Sequence, residues 1–227
     1  MNPRICVSIS PTDETELLGS SRKAEELAAD FLEIRLDKLR SYRGLSNVVR
    51  SSQKPLIATN RARPEKGSFD GPEAERLKIL KRAVEEGFQY VDLEFKTSNL
   101  ERTIRLFKGK GAKIILSHHD HFRTPAKSTL AATLAQLKRF KPDVCKIVTT
   151  AHHPDDNLAI LDLLKTNRRS TPLVSFAMGK KGVWSRLLAP FYGAYFTYAS
   201  LERGQETAPG QPPISELRRI YEMLEVE

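Results

Sequence analysis

The stretch Lys113–Val148, KIILSHHDHFRTPAKSTLAATLAQLKRFKPDVCKIV, decides the fold of this 227-residue chain. It predicts a strand over Lys113–His118, a helix over Thr129–Phe140 and a second strand over Asp143–Val148. Two strands joined by a helix lie parallel in one sheet, because the helix carries the chain back to the edge where the first strand began. The stretch therefore predicts a βαβ unit.

The same alternation runs along the rest of the chain. Six further strands are predicted: Arg4–Ser10, Phe31–Arg35, Pro55–Thr59, Tyr90–Glu94, Pro172–Met178 and Ala194–Ala199. Helical patterns follow the strands: Asp13–Ala29, Leu45–Ser51, Glu73–Glu86, Ser98–Lys108, Pro154–Lys165, Val183–Leu188 and Ile214–Glu225. Eight βα units of about 28 residues each predict an α/β protein, a parallel eight-stranded (β/α)8 TIM barrel that forms one domain over residues 1–227. An open doubly wound sheet is the alternative, but Ser10-Pro11-Thr12-Asp13 is not the glycine-rich phosphate loop such a sheet usually carries.

Composition narrows the class of protein. Hydrophobic residues make up 40% of the chain, which excludes wholesale disorder, and 37 Lys and Arg against 28 Asp and Glu give a net charge of +9. This charge favours an anionic partner. No apolar run approaches the roughly 18–20 residues that span a bilayer. Cys6 and Cys145 lie in apolar strands, so we expect reduced thiols in a cytoplasmic protein.

A barrel places its active site at the carboxyl ends of its strands, and strand alternation assigns side chains to faces. Glu33 and Arg35 share one face of their strand, and Asp92 and Glu94 share one face of theirs. Lys146 shares a face with apolar neighbours. Several charged groups are thus predicted to point into one barrel mouth, where they need mutual pairing or a charged ligand.

Lys146 is the strongest chemical signal, because a lysine inside the apolar run VCKIV resists burial. Burial and neighbouring cations, with Arg35, Arg61 and Arg186 as candidates, would favour a neutral amine that attacks a ketone. The alternative is a lysine at a strand end whose amine reaches water.

Histidines end the fifth strand in Ser117-His118-His119-Asp120-His121. His119 and His121 as paired metal ligands are one interpretation, but no carboxylate or cysteine cluster at metal spacing completes the set. One histidine acting as general acid and base fits better, because imidazole titrates near neutral pH.

Arginines and a loop complete the candidate site. Arg61 follows the third strand and Arg186 the seventh, and an arginine grips a carboxylate through two parallel hydrogen bonds. The alternative for each is a solvated surface position. The loop Thr207–Gln211 follows the eighth strand and either closes over a ligand or is a plain connector.

Motifs throughout the chain match one known family. They are Glu33-Ile34-Arg35-Leu36-Asp37, Thr59-Asn60-Arg61 with Glu65, Asp92-Leu93-Glu94, Ser117-His118-His119-Asp120 with Thr124-Pro125, Lys146-Ile147-Val148, Phe176-Ala177-Met178-Gly179, Ser185-Arg186 and Ala208-Pro209-Gly210-Gln211. These motifs occur in the family's order, and each lies at a strand end. By them the sequence resembles the stand-alone form of type I 3-dehydroquinate dehydratases of the shikimate pathway.

The resemblance implies a (β/α)8 barrel that eliminates water reversibly from 3-dehydroquinate to give 3-dehydroshikimate. Lys146 matches the lysine that forms a Schiff base with the substrate ketone. His119 matches the general base that removes the C2 proton and then helps expel the C1 hydroxyl, and Glu65 matches its supporting carboxylate. The substrate-binding matches are Ser8, Glu33, Arg35, Arg61, Arg186, Thr207 and Gln211, and the apolar pocket-lining matches are Phe176, Met178 and Tyr198.

The resemblance also implies that no metal, nucleotide or other cofactor is required, and that the partner is a small molecule rather than nucleic acid or a membrane. Members are often dimers, which leaves a homodimer open. The chain departs from the family pattern at Asn60, where an aromatic residue is usual, and at His121, where phenylalanine is usual. Its first predicted strand begins without the hairpin that closes the barrel bottom in some members.

Two other functions are alternatives. Another Schiff-base lyase of the class I aldolase type would share the buried lysine, with a phosphate site for which Gly179–Gly182 is a weak candidate. A nucleic-acid or anion binder would need clustered basic residues interleaved with exposed aromatics. The basic residues here are scattered beside acidic ones, which disfavours a binder.

Overall fold

A computed structural model of the chain describes residues 3–167 and 170–224. Eight parallel strands form one sheet in the order β7-β6-β5-β4-β3-β2-β1-β8. The two edges meet where the backbone N–H of Tyr195 donates to the carbonyl of Leu173 at 2.8 Å, which nearly closes the barrel. The predicted (β/α)8 fold is confirmed.

The strands are β1 Ile5–Ile9, β2 Phe31–Arg35, β3 Leu56–Thr59, β4 Tyr90–Glu94, β5 Lys113–His119, β6 Val144–Thr150, β7 Leu173–Met178 and β8 Thr197–Ala199. The helices are α1 Glu14–Glu26, α2 Leu45–Ser51, α3 Glu73–Glu86, α4 Leu100–Gly109, α5 Lys127–Arg139, α6 Asp156–Asn167, α7 Val183–Leu188 and α8 Ile214–Leu224. The largest differences from the prediction are three residues each: β8 starts at Thr197 rather than Ala194, and α1 ends at Glu26 rather than Ala29. Glu225, predicted to end the last helix, lies outside the described residues. None of the helices within the described ranges is long and apolar enough to cross a membrane.

Strand alternation separates two layers of packing. Ile34, Leu93 and Ile147 belong to the layer between the strands and the helices. Val144 and Val148, which flank Lys146 on its face of β6, belong to a second layer inside the barrel. The predicted faces of these strands are therefore correct, and charged side chains interleaved with the second layer face the barrel interior.

The amino-terminal end of the barrel is closed by four aromatic side chains, Phe31, Tyr90, Tyr195 and Phe196, which we call the aromatic floor. Phe31 lies 4.9 Å from Phe196, 5.7 Å from Tyr195 and 5.9 Å from Tyr90, measured between ring centroids. The hydroxyls of Tyr90 and Tyr195 are 3.1 Å apart, and the guanidinium of Arg4 lies 4.2 Å from the Tyr195 ring. In the described residues, side chains of the barrel itself close its bottom.

Replacing Phe31 by alanine is expected to lower the free energy of unfolding by about 3–5 kcal/mol, because a buried ring in contact with three others leaves a cavity that cannot collapse. The measurement is urea denaturation. Phe122→Ala is the control, since Phe122 is 80% exposed and its loss should cost about 0.5 kcal/mol or less. Equal losses in the two variants would show that the floor does not stabilise the barrel.

Candidate active site

A cavity of about 220 Å³ lies at the carboxyl ends of the strands. Of the predicted site residues, those that line it are Glu33, Arg35, Arg61, Glu65, His119, Lys146, Phe176, Met178, Arg186, Tyr198, Thr207 and Gln211. Ser8 does not line this cavity. The topology explains the convergence, because parallel strands end at one face of a barrel.

Lys146 is 4% exposed, so it is not a lysine that reaches water. Its Nζ lies 2.9 Å from Asp92 Oδ2, 3.0 Å from the Tyr198 hydroxyl and 3.4 Å from Glu33 Oε1. Its nearest charged neighbours are therefore carboxylates, whereas the sequence analysis expected guanidinium groups. Those arginines do line the cavity, but carboxylates bind two of them.

Glu33 is held by hydroxyl groups on both carboxylate oxygens. The Ser8 hydroxyl donates to Oε2 at 2.6 Å, and the hydroxyls of Thr59 and Tyr198 donate to Oε1 at 3.0 and 2.9 Å. Burial is the largest influence and alone would raise the pKa of Glu33, but the charges of Lys146 and Arg35 and the hydrogen bond from Ser8 together outweigh it, and the pKa is lowered. Ser8 thus acts on the cavity through Glu33.

Tyr198 was predicted as an apolar lining residue, and its hydroxyl makes this description incomplete. The hydroxyl bridges Lys146 and Glu33. Burial raises the pKa of Tyr198 well above its ordinary value, so the phenol keeps its proton. A buried tyrosine hydroxyl usually requires a hydrogen-bond partner, and this rule was the available signal for a polar role.

Asp92 was predicted as a charge at the barrel mouth but not as a site residue, although it contacts Lys146 directly. Its Oδ1 accepts from the Arg61 guanidinium at 2.9 Å and from the Ser117 hydroxyl at 2.6 Å. Burial alone would raise the pKa of Asp92, but the charges of Arg61 and Lys146 hold it well below its usual range. Asp92 therefore remains a carboxylate.

The three candidate arginines differ in their partners. Arg35 donates twice to Asp37, at 2.7 and 2.8 Å, and Arg61 donates to Asp92 and Glu94. None of the three guanidinium nitrogens of Arg186 has a hydrogen-bond partner in the described part of the chain, although the side chain is fully buried.

The Arg186 guanidinium lies 4.0 Å from the centre of the Phe176 ring. Burial lowers the pKa of Arg186 to about 9, which still leaves it cationic at neutral pH. A buried cation without a counter-charge is unfavourable, so this position is suited to a bound anion.

His119 ends β5 and is almost fully buried. Burial is the main cause that lowers its pKa well below the ordinary value, with the charges of Arg61 and Lys146 adding to it, so the imidazole is neutral at neutral pH. Its Nδ1 is 4.0 Å from Glu65 Oε2, which is beyond hydrogen-bond distance. The other oxygen of Glu65 accepts from Lys96 at 2.8 Å. Glu65 thus lies near His119 without a hydrogen bond to it.

The other histidines have different surroundings. His118 packs against Phe95 on the outer side of the strand, whereas the His121 ring stacks on His119. His152 and His153 lie in the loop before α6. Within residues 3–167 and 170–224, no group of three or more His, Cys, Asp and Glu side chains is arranged to hold a metal ion.

The loop 207–211 covers the cavity, and we call it the lid loop. The backbone N–H and hydroxyl of Thr207 donate to Gln211 Oε1 at 2.9 and 3.1 Å. The N–H of Gly179 donates to the carbonyl of Pro209 at 3.1 Å. Gly210 has φ +77° and approaches so closely that a Cβ would lie 2.5 Å from the Gly179 carbonyl oxygen. The loop is therefore held against the segment that follows β7 by specific contacts.

The lid loop also bears on the aldolase-type alternative. The N–H of Gly179 is bound to the lid loop, and the N–H of Gly182 donates to the Gly179 carbonyl at 3.0 Å. These two backbone donors are thus occupied, and a phosphate would need free ones. The N–H groups of the two glycines are therefore not available to a phosphate.

Reactive side chains at the carboxyl end of a closed parallel barrel, facing a covered cavity, are the arrangement of the (β/α)8-barrel enzymes that act on small molecules. Comparison with known proteins defines the family. The profile of the family described as type I 3-dehydroquinase matches residues 5–227. The chain belongs to this family, which confirms the resemblance found in its motifs, and it is an enzyme of the hydro-lyase type.

Individual relatives agree. A 3-dehydroquinate dehydratase of Dehalococcoides mccartyi is 37% identical over 220 residues, which cover 96% of this chain and 95% of the relative. One from Methanosarcina acetivorans is 35% identical over 218 residues, covering 91% of this chain and 90% of the relative. The crystal structure of 3-dehydroquinate dehydratase from Geobacillus kaustophilus has a TM-score of 0.90 at 27% identity and covers 99% of this chain and 92% of that one.

Proposed function

We propose that this enzyme eliminates water reversibly from 3-dehydroquinate to give 3-dehydroshikimate in the shikimate pathway, through a Schiff base on Lys146. One observation carries the proposal: a buried amine and an unpaired buried guanidinium, those of Lys146 and Arg186, line one cavity. The amine suits a ketone and the guanidinium suits a carboxylate, and 3-dehydroquinate contains both groups. The names of the relatives support the same substrate.

The proposed reaction begins at Lys146. Its ammonium group first gives up a proton; the free amine then attacks the C3 ketone, a C–N bond forms, and the carbinolamine loses water to give a cationic imine. The Tyr198 hydroxyl and Glu33, which contact Nζ, are positioned to exchange the protons of these steps. Asp92 provides a fixed negative charge beside the cation.

Elimination follows at the neighbouring carbons. Neutral His119 takes the C2 proton, and the electron pair of that C–H bond moves into the imine to form an enamine. The enamine re-forms the imine as the C1–O bond breaks, and the proton on His119 leaves with the hydroxyl as water. Hydrolysis of the product imine consumes one water and restores Lys146, so the net change is the loss of one water.

The remaining side chains are proposed to bind and orient the substrate. Arg186 holds the carboxylate, and the lid-loop residues Thr207 and Gln211 enclose the ligand. Glu33, Arg35 and Arg61 are proposed to contact the rest of the substrate from the rim, with Ser8 supporting Glu33. Phe176 and Met178 form an apolar wall, and Glu65 stabilises the imidazolium of His119 by its charge.

This chemistry needs no metal or nucleotide, because the cationic imine supplies the electron sink. We propose residues 1–227 as a single catalytic domain. We also place the enzyme in the cytoplasm, because Cys6 and Cys145 are buried free thiols.

The proposed function is tested by adding 3-dehydroquinate and following the absorbance of the conjugated enone that elimination creates. Arg186→Leu is expected to lower kcat/KM by about 30-fold to 1,000-fold, mostly through KM, because a buried charge-assisted contact to the carboxylate is lost. Arg63→Leu is the matched control, since Arg63 is an exposed arginine that follows β3 at the same end of the barrel. Unchanged kcat/KM in Arg186→Leu would contradict the assigned contact, and an inactive wild-type enzyme would contradict the function.

A further inference from the structure

The imidazole of His121 lies parallel to that of His119. Their ring centroids are 5.6 Å apart and their planes differ by 5°. Both histidines face one carboxylate oxygen, Glu65 Oε2, which is 3.7 Å from His121 Nε2 and 4.0 Å from His119 Nδ1. The second oxygen of Glu65 is bound to Lys96. Two buried imidazoles therefore share a single carboxylate oxygen.

His121 has no hydrogen bond that would explain it as a structural residue. Both ring nitrogens are buried and lack a partner in the described part of the chain, and the side chain lines the cavity. The charged and titratable groups facing it are Glu65, Lys66, Arg61 and His119. A phenylalanine, usual here in the family, would also stack on His119, but only histidine carries a proton.

We propose that His121 is a positioning residue for proton transfer by His119, such that the stacked pair and Glu65 hold one proton rather than two. This inference rests on the proposed function, because it assigns His119 as the group that takes the C2 proton. When His119 is protonated by the substrate, a neutral His121 leaves Glu65 free to stabilise the new imidazolium. When solvent protonates His121 instead, its charge opposes a second one on His119.

The sign of the pH effect follows from this competition. A proton on His121 lowers the pKa of His119, so His119 remains a base at lower pH. Removing His121 removes that repulsion, and the pKa of His119 rises. Because activity is lost when His119 is protonated before substrate arrives, the acid limb of the kcat/KM profile should move to higher pH.

The test compares kcat/KM against pH for wild-type enzyme, His121→Phe and His121→Gln. Phenylalanine keeps a stacked ring and glutamine keeps a polar side chain, while neither titrates. We expect both variants to move the acid limb upward by about 0.5 to 1 pH unit. His153→Phe, which replaces an exposed histidine outside the cavity, should leave the limb in place. A limb in His121→Phe that coincides with that of wild type would overturn the proposal.

A second readout does not depend on turnover. NMR titration of the His119 ring in the ligand-free protein should give a higher pKa in His121→Phe than in wild type, and an unchanged value would count against the proposal. Failure of the proposed function is recognised separately, because wild-type enzyme would then leave 3-dehydroquinate unchanged at every pH.

Discussion

Replacing Lys146 by alanine is expected to abolish covalent trapping of the substrate and to lower kcat by about four orders of magnitude or more. The amine is the proposed nucleophile, and Lys66, a second lysine that lines the cavity, is exposed rather than buried among the other site residues. In wild-type enzyme, borohydride added during turnover should reduce the imine and leave substrate mass on the peptide that contains Lys146. Intact-protein and peptide mass spectrometry measure the label, and enone absorbance measures kcat.

Lys146→Arg is the matched variant, because loss of the lysine charge alone leaves Asp92 and Glu33 without their partner. Removing one member of a buried ion pair costs about 3–5 kcal/mol of stability, so Lys146→Ala alone could lose activity by unfolding. Arginine keeps the positive charge but forms no imine. A folded Lys146→Arg enzyme with near wild-type turnover would refute the Schiff-base assignment.

Replacing His119 by alanine is expected to separate the two halves of the reaction. Imine formation at Lys146 should persist, whereas dehydration should fall by about 10²–10⁴-fold, the usual contribution of a general acid and base. The expected signature is borohydride labelling close to that of wild type with little enone absorbance. The lowered pKa of His119 is consistent with its proposed role as the base, because the buried imidazole is neutral at neutral pH.

The neighbouring histidine provides the control for this prediction. His118→Ala removes an imidazole from the outer side of the same strand, where it packs against Phe95 rather than facing the cavity. Its turnover should remain within a few-fold of wild type. Full activity in His119→Ala would exclude His119 as the proton carrier.

Local pattern predicted most of the fold. In the strands around Lys146 and Glu33, period-2 alternation puts each charged side chain on the opposite face from Ile147 and Ile34, and the predicted barrel assigns the charged side chains to the interior. The segment that precedes β8 was less predictable. Ala194-Tyr195-Phe196 has strand-like composition, but Tyr195 hydrogen-bonds to β7, and β8 begins only at Thr197.

The partners of the site residues could not be predicted, because they depend on contacts between strands distant in sequence. Arg61 and Arg186 each follow a strand, so local sequence pattern alone does not distinguish them as candidate carboxylate ligands. Only the folded barrel brings Asp92 and Glu94 to Arg61 and leaves Arg186 unpaired. The contact of Lys96 with Glu65 is equally non-local: Lys96 binds one oxygen of the predicted supporting carboxylate, and the other oxygen lies 4.0 Å from His119 Nδ1.

The aromatic floor has a consequence for how substrate enters the cavity and how product leaves it. In the described residues, packed aromatic rings fill the amino-terminal end of the barrel, so the cavity opens at the carboxyl end, beneath the lid loop. Substrate, product and the eliminated water molecule would then all pass through the same cavity entrance. Each catalytic cycle would require the entrance to open for product release as well as for substrate binding. Motion of the lid loop would therefore limit the rates of both steps.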